Sequence, residues 1–116
     1  MYLLKVIALL SLSALGLAGD CEAGIGSDEC VSVFADGGCG SYETSYRPTC
    51  EGNCYRYPFK GLKVKGNSFR GTNCVAYYDD NCQQAIASTG NQYGESDCVS
   101  FDHGGGAQSM QCYFDC

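Results

Sequence analysis

Two neighbouring stretches, Gly61-Leu-Lys-Val-Lys-Gly-Asn67 and Asn73-Cys-Val-Ala-Tyr-Tyr-Asp-Asp-Asn-Cys82, decide the fold class. In the first, apolar and charged residues alternate, with Leu62 and Val64 on one side and Lys63 and Lys65 on the other. Successive side chains of an extended chain point to opposite faces, so this is a half-buried strand, closed by a turn at Gly66-Asn67. The second is rich in β-branched and aromatic residues and stops at the turn-forming Asp79-Asp80-Asn81. Outward from these, Cys30-Val-Ser-Val-Phe-Ala35, Asp97-Cys-Val-Ser-Phe101 and Gln108-Ser-Met-Gln-Cys-Tyr-Phe114 read the same way. Short strands punctuated by Gly, Asn and Asp predict a small, mostly antiparallel β domain, a compact sandwich or barrel-like form with at most one short helix. The helical turn would be Cys82–Ser88, too short to be stable without packing. Residues 36–58 show little periodicity and read as loop tied down by Cys39, Cys50 and Cys54. No internal repeat is visible.

The first residues set the expected compartment. Lys5 supplies a positive start, Val6 to Leu17 is uncharged and largely apolar, and Gly16-Leu17-Ala18 offers small residues for a signal peptidase. That order is a secretory signal, with cleavage after Ala18 and a mature domain of 19–116. The run is shorter than the roughly 20 residues of a spanning helix, and no later segment is apolar enough to be a transmembrane segment.

All ten cysteines fall in the expected mature domain: Cys21, Cys30, Cys39, Cys50, Cys54, Cys74, Cys82, Cys98, Cys112 and Cys116. A secreted chain of this length with this cysteine density reads as a disulfide scaffold. With no Trp, five Phe and 16 Gly, the core is thin and the backbone expensive to order, and cross-links compensate by restricting the unfolded chain. Metal is the weaker reading. Only Cys50-x₃-Cys54 and Cys112-x₃-Cys116 have zinc-like spacing, and the chain has one His. No Cys-x-x-Cys redox motif occurs. Ten cysteines allow on the order of a thousand pairings, and spacing does not choose among them.

The formal net charge is −6, which argues against nucleic acid as a partner. The charges are segregated. Residues 52–78 carry Arg56, Lys60, Lys63, Lys65 and Arg70 with no acid, while residues 79–116 carry six acids and no base. The five cations, interleaved with Tyr55, Tyr57, Phe59 and Phe69, form the candidate partner-binding segment, suited to an anionic target. The bland alternative makes Lys63 and Lys65 guards of an edge strand.

No catalytic residue is expected. His103-Gly-Gly-Gly106 matches an esterase oxyanion loop, but no Gly-x-Ser-x-Gly elbow accompanies it, so it reads as a glycine turn. Asp79-Asp80 and Glu95/Asp97 are carboxylate pairs without a visible cleft, and Asp in turns usually serves the backbone. No metal, cofactor or N-glycan is expected.

The segments Leu62-Lys-Val-Lys65, Cys74-Val-Ala-Tyr-Tyr-Asp-Asp-Asn-Cys82, Asp97-Cys98 and Ser109-Met-Gln-Cys112 resemble those of small secreted cysteine-rich proteins of filamentous fungi. In these a strand leads into a Tyr- and Asp-bearing hairpin between cysteines, similar to the βγ-crystallin and killer-toxin-like fold. The crystallin calcium motif is missing, so calcium is not implied. The resemblance implies an extracellular protein acting on another organism as an effector or a toxin. The first reading is a monomeric, non-enzymatic effector-like protein binding a host or competitor target. An antimicrobial or killer-toxin-like protein acting on membranes is the alternative.

Overall fold

Strand β1 (Cys30–Phe34) lies at the centre of the first of two sheets and is buried along its whole length. The computed structural model describes Cys21, residues 28–101 and residues 105–116. The expected signal peptide at 1–18 and His103 lie outside the described residues. After β1 come β2 (Tyr42–Tyr46), β3 (Cys54–Phe59), β4 (Gly61–Lys65), β5 (Thr72–Tyr77), β6 (Ala85–Ser88), β7 (Val99–Ser100) and β8 (Ala107–Phe114). Each sheet has four antiparallel strands, one in the order β2-β1-β4-β7 and the other β3-β8-β5-β6. Val31, Val33, Leu62 and Val64 from the first sheet meet Phe59, Cys74, Ala76, Met110 and Cys112 from the second in one buried cluster. The molecule is thus a small disulfide-rich β-sandwich with no α-helix among the described residues.

The register reveals an internal repeat that side-chain similarity hides. The β1–β2 pairs Ser32↔Ser45, Val33↔Thr44 and Phe34↔Tyr42 recur 43 residues later as Val75↔Ser88, Ala76↔Ala87 and Tyr77↔Ala85. The irregularity recurs at the same place, so Glu43 and Ile86 are equivalent bulged residues. The turns match as well. Asp36 accepts the amide hydrogens of Gly40 and Ser41, and Asp79 those of Gln83 and Gln84, each over the same spacing. Cys39 and Cys82 occupy the same left-handed conformation, both at φ 57°.

Each half donates its third strand to the other half's sheet. β3, from the first half, pairs with β8, and β7, from the second, pairs with β4. Two of the five disulfides fasten this exchange. Cys39–Cys98 ties the first hairpin to the residue before β7, and Cys82–Cys54 ties the second hairpin to the start of β3. Cys74–Cys112 joins directly opposed residues of β5 and β8, where the first sheet has the opposed pair Val31 and Val64. Cys21–Cys30 and Cys50–Cys116 secure the chain at either end of the domain. With all ten cysteines oxidised, folding belongs to an oxidising, extracellular-type environment.

Two local expectations are corrected. Cys82–Ser88 forms no helical turn: the left-handed Cys82 breaks any helix, Asp79 takes up the following amides, and Ala85–Ser88 extends along β5. Residues 36–58 are not all loop, because β2 and β3 lie within them. In β2, Ser45 is buried and accepts a hydrogen bond from the Cys21 amide, so a polar residue sits where a simple pattern demands an apolar one. β3 alternates after all, with Tyr55, Tyr57 and Phe59 less exposed than Cys54, Arg56 and Pro58. Pro58 is accommodated because β3 is an edge strand whose register shifts between Arg56 and Phe59.

Candidate binding site

The structure does not gather the five cations onto one surface. Lys63 and Lys65 project from the outer face of β4, opposite the buried Leu62 and Val64. The strand pairs with β1 along its whole length, and on its other side with β7 at Gly61 and Leu62 and with residues 95–96 at Val64 and Lys65, so it is an inner strand rather than an open sheet edge. Lys63 Nζ lies 6.0 Å from the centre of the Phe34 ring. Arg56 belongs to the other sheet, where its Nη2 donates to Asn81 Oδ1 at 2.9 Å. Lys60 occupies the single-residue crossing from β3 to β4, its amide donating to the Phe34 carbonyl. Arg70 pairs with Asp115 at 3.0 Å.

Of the carboxylates singled out by sequence, Asp79 serves the backbone. Gln84, then Gln83 and Asn81, donate amide hydrogens to Asp79 and hold its carboxyl below the ordinary 3.8. Asp36 is lowered in the same way, by the amides of Ser41 and Gly40. A carboxylate anchored by two or three amides is a turn clamp. Burial, with a smaller contribution from Tyr55 stacked 4.1 Å away, pushes the Tyr46 phenol well above its usual value. These shifts belong to folding. No group of three potential metal ligands occurs among the described residues.

What the fold does assemble is a cleft of about 530 Å³ at one end of the second sheet. Its floor is the outer face of β5 and β8, where Asn73 and Tyr113 stand opposite each other in register. One wall is the turn carrying Phe69 and Arg70, the other the loop carrying Asn91 and Tyr93. Asn67 Oδ1 shapes the first wall by accepting the amide hydrogens of Phe69 and Arg70. The second is anchored by reciprocal backbone hydrogen bonds between Thr72 and Gln92. Gly71 permits the walls to meet, since a Cβ there would lie 2.3 Å from Asn91 Oδ1. At the mouth, Phe69 is 84% and Tyr93 52% exposed. A second depression of about 250 Å³, lined by Lys65 and Asn67 among others, adjoins the first at Tyr93.

No family model, curated protein or solved structure matches this chain. Its site therefore rests on its own geometry. Sequence reading reached Phe69, Lys65 and Arg70 as members of the basic segment, but missed Asn73, Asn91, Tyr93, Tyr113 and Asp115. The available signal was aromatic residues in polar turns, Asn67-Ser-Phe69 and Asn91-Gln-Tyr93, where no core requires them.

Proposed function

We propose that the protein is a secreted, non-catalytic, effector-like binding protein, and that it meets its extracellular target through the cleft between the 67–71 turn and the 90–93 loop. One observation carries the reading: two large aromatic side chains are held in solvent on loops clamped by backbone hydrogen bonds. Exposed aromatics beside a concave surface are the usual anchors of recognition, and rigid loops lose little entropy on binding. The disulfide frame supports this role, with Cys116 lining the cleft and bonded to Cys50. The engagement of Asp79 by the amides of its own turn takes one carboxylate of the Asp79-Asp80 pair out of acid–base work. Lys65 and Arg70 contribute to this surface rather than to a basic patch spanning all five cations.

The test is retention by the oxidised protein, immobilised, of material from extracellular, cell-wall and membrane fractions of candidate hosts and competitors. Retention that is lost in a folded Phe69→Ala/Tyr93→Ala variant supports the reading. Retention unchanged in that variant moves the contact surface elsewhere. Retention of membrane material alone would favour the killer-toxin-like alternative.

A further inference from the structure

We propose that the ligand of this cleft is a neutral oligosaccharide, seated against Tyr93 and Phe69; the inference rests on reading the cleft as the binding surface. A sugar ring is amphipathic in a particular way: its C–H bonds make an apolar face, and its hydroxyls form a rim in which every group both donates and accepts. A site for it needs flat aromatic surface together with planar polar groups at the edge, and little aliphatic wall. The cleft has that composition. Three aromatic rings and two amides line it, and no Leu, Ile, Val or Met does. Its volume of about 530 Å³ suits a small ligand, and the adjoining depression beyond Tyr93 gives room for a second ring along the same groove.

The electrostatics point to a neutral ligand. Arg70 and Asp115, 3.0 Å apart, present donors and acceptors side by side while cancelling each other's charge. A phosphate or sulfate ligand would call for unmatched cations, and the chain as a whole is at −6. Asn73 lies on the cleft floor and is only half-buried, so its side-chain amide adds both donor and acceptor capacity to the lining. A peptide partner fits less well, since it would seek aliphatic pockets or a strand edge.

The experiment titrates the oxidised protein with neutral tetra- to hexasaccharides of glucose, mannose and N-acetylglucosamine, read by calorimetry and by amide chemical-shift changes. At least one series should bind, with shifts concentrated at 67–73, 90–93 and 113–115. Tyr93→Ala should weaken binding about tenfold, the scale of one lost aromatic contact, without lowering the melting temperature. Asn73→Ala should weaken it too, and Gln108→Ala, exposed on β8 outside the cleft lining, should not. If no oligosaccharide shifts these amides at millimolar concentration, the saccharide assignment is overturned. Should retention from extracellular fractions still depend on Tyr93, the cleft remains the binding surface and its ligand is of another class. If neither depends on Tyr93, both readings fall.

Discussion

Replacing Ser109 with Ala tests how the second hairpin is held, and its effect follows from two hydrogen bonds. Ser109 is fully buried on β8, opposite Tyr77. Its Oγ donates to the Asp79 carbonyl at 2.6 Å and accepts the Cys82 amide hydrogen at 3.2 Å, fastening the folded turn onto the sheet. Alanine removes both partners and strands a carbonyl and an N–H. Each group left unsatisfied costs about 1–3 kcal/mol when buried. Asp79 and Cys82 are half-buried, so the lower figure applies to each, and the expected loss is about 2 kcal/mol. For a domain of this size that is about 8–16 °C in Tm. The assay is thermal or guanidinium unfolding of the oxidised protein, with the exposed neighbour Gln108→Ala as control, expected to stay within about 0.5 kcal/mol. If Ser109→Ala unfolds at the same point as Gln108→Ala, the hairpin is held by the Cys54–Cys82 disulfide alone and the hydrogen-bond argument is wrong.

The first hairpin should fail by the opposite route. Gly61 is the position equivalent to Ser109, and a Cβ there would lie 2.5 Å from the Asp36 carbonyl oxygen and 3.0 Å from Cys39 Sγ; Gly61→Ala should therefore destabilise by about 1–3 kcal/mol through overpacking, read in the same unfolding assay. Acid should weaken both hairpins. The folded pKa values of Asp36 and Asp79 lie below 3.8, so their stabilisation is complete above that value and disappears as pH falls through the folded values. Melting temperature should decline below about pH 4, with a shallower decline in Asp36→Asn/Asp79→Asn; an equal slope in the variant would exclude these two groups as its source. Lys63→Glu/Lys65→Glu should remain folded with a loss of about 1 kcal/mol or less, whereas Leu62→Glu, placing a charge at a fully buried site, should not yield a folded monomer by circular dichroism and size exclusion. Mass spectrometry of the folded chain should show no thiol available for alkylation, and reduction should unfold it, because the thin core alone does not offset the entropy of ordering.

The strands legible in the sequence are those whose two faces differ in environment. Leu62 and Val64 point into the core and Lys63 and Lys65 away from it, so β4 announces itself. β2 does not, because Cys21 packs against part of its outer face, and Ser45 answers to that contact rather than to the sandwich core. β6 reads in sequence as a helical turn because only Ile86 packs against the core, leaving no alternation to mark a strand. The basic segment was legible as composition but not as a surface. Its residues pass from one sheet to the other at Lys60, so cations close in sequence separate in space.

Composition and local patterning alone determined the class of the molecule: a cysteine-dense, glycine-rich, acidic chain with alternating strands needs cross-links and has β-sheet as its natural form. Those properties depend on each residue's own chemistry and its near neighbours. The tertiary structure alone decided which cysteines join, that two dissimilar halves share one register, and that each lends its third strand to the other. It also decided the cleft, in which Asn73 and Tyr113 are brought opposite each other across 40 residues of chain and Arg70 meets Asp115 across 45. Such contacts follow from the closing of two sheets over a common core, a global balance of burial against chain entropy that no short window of sequence contains.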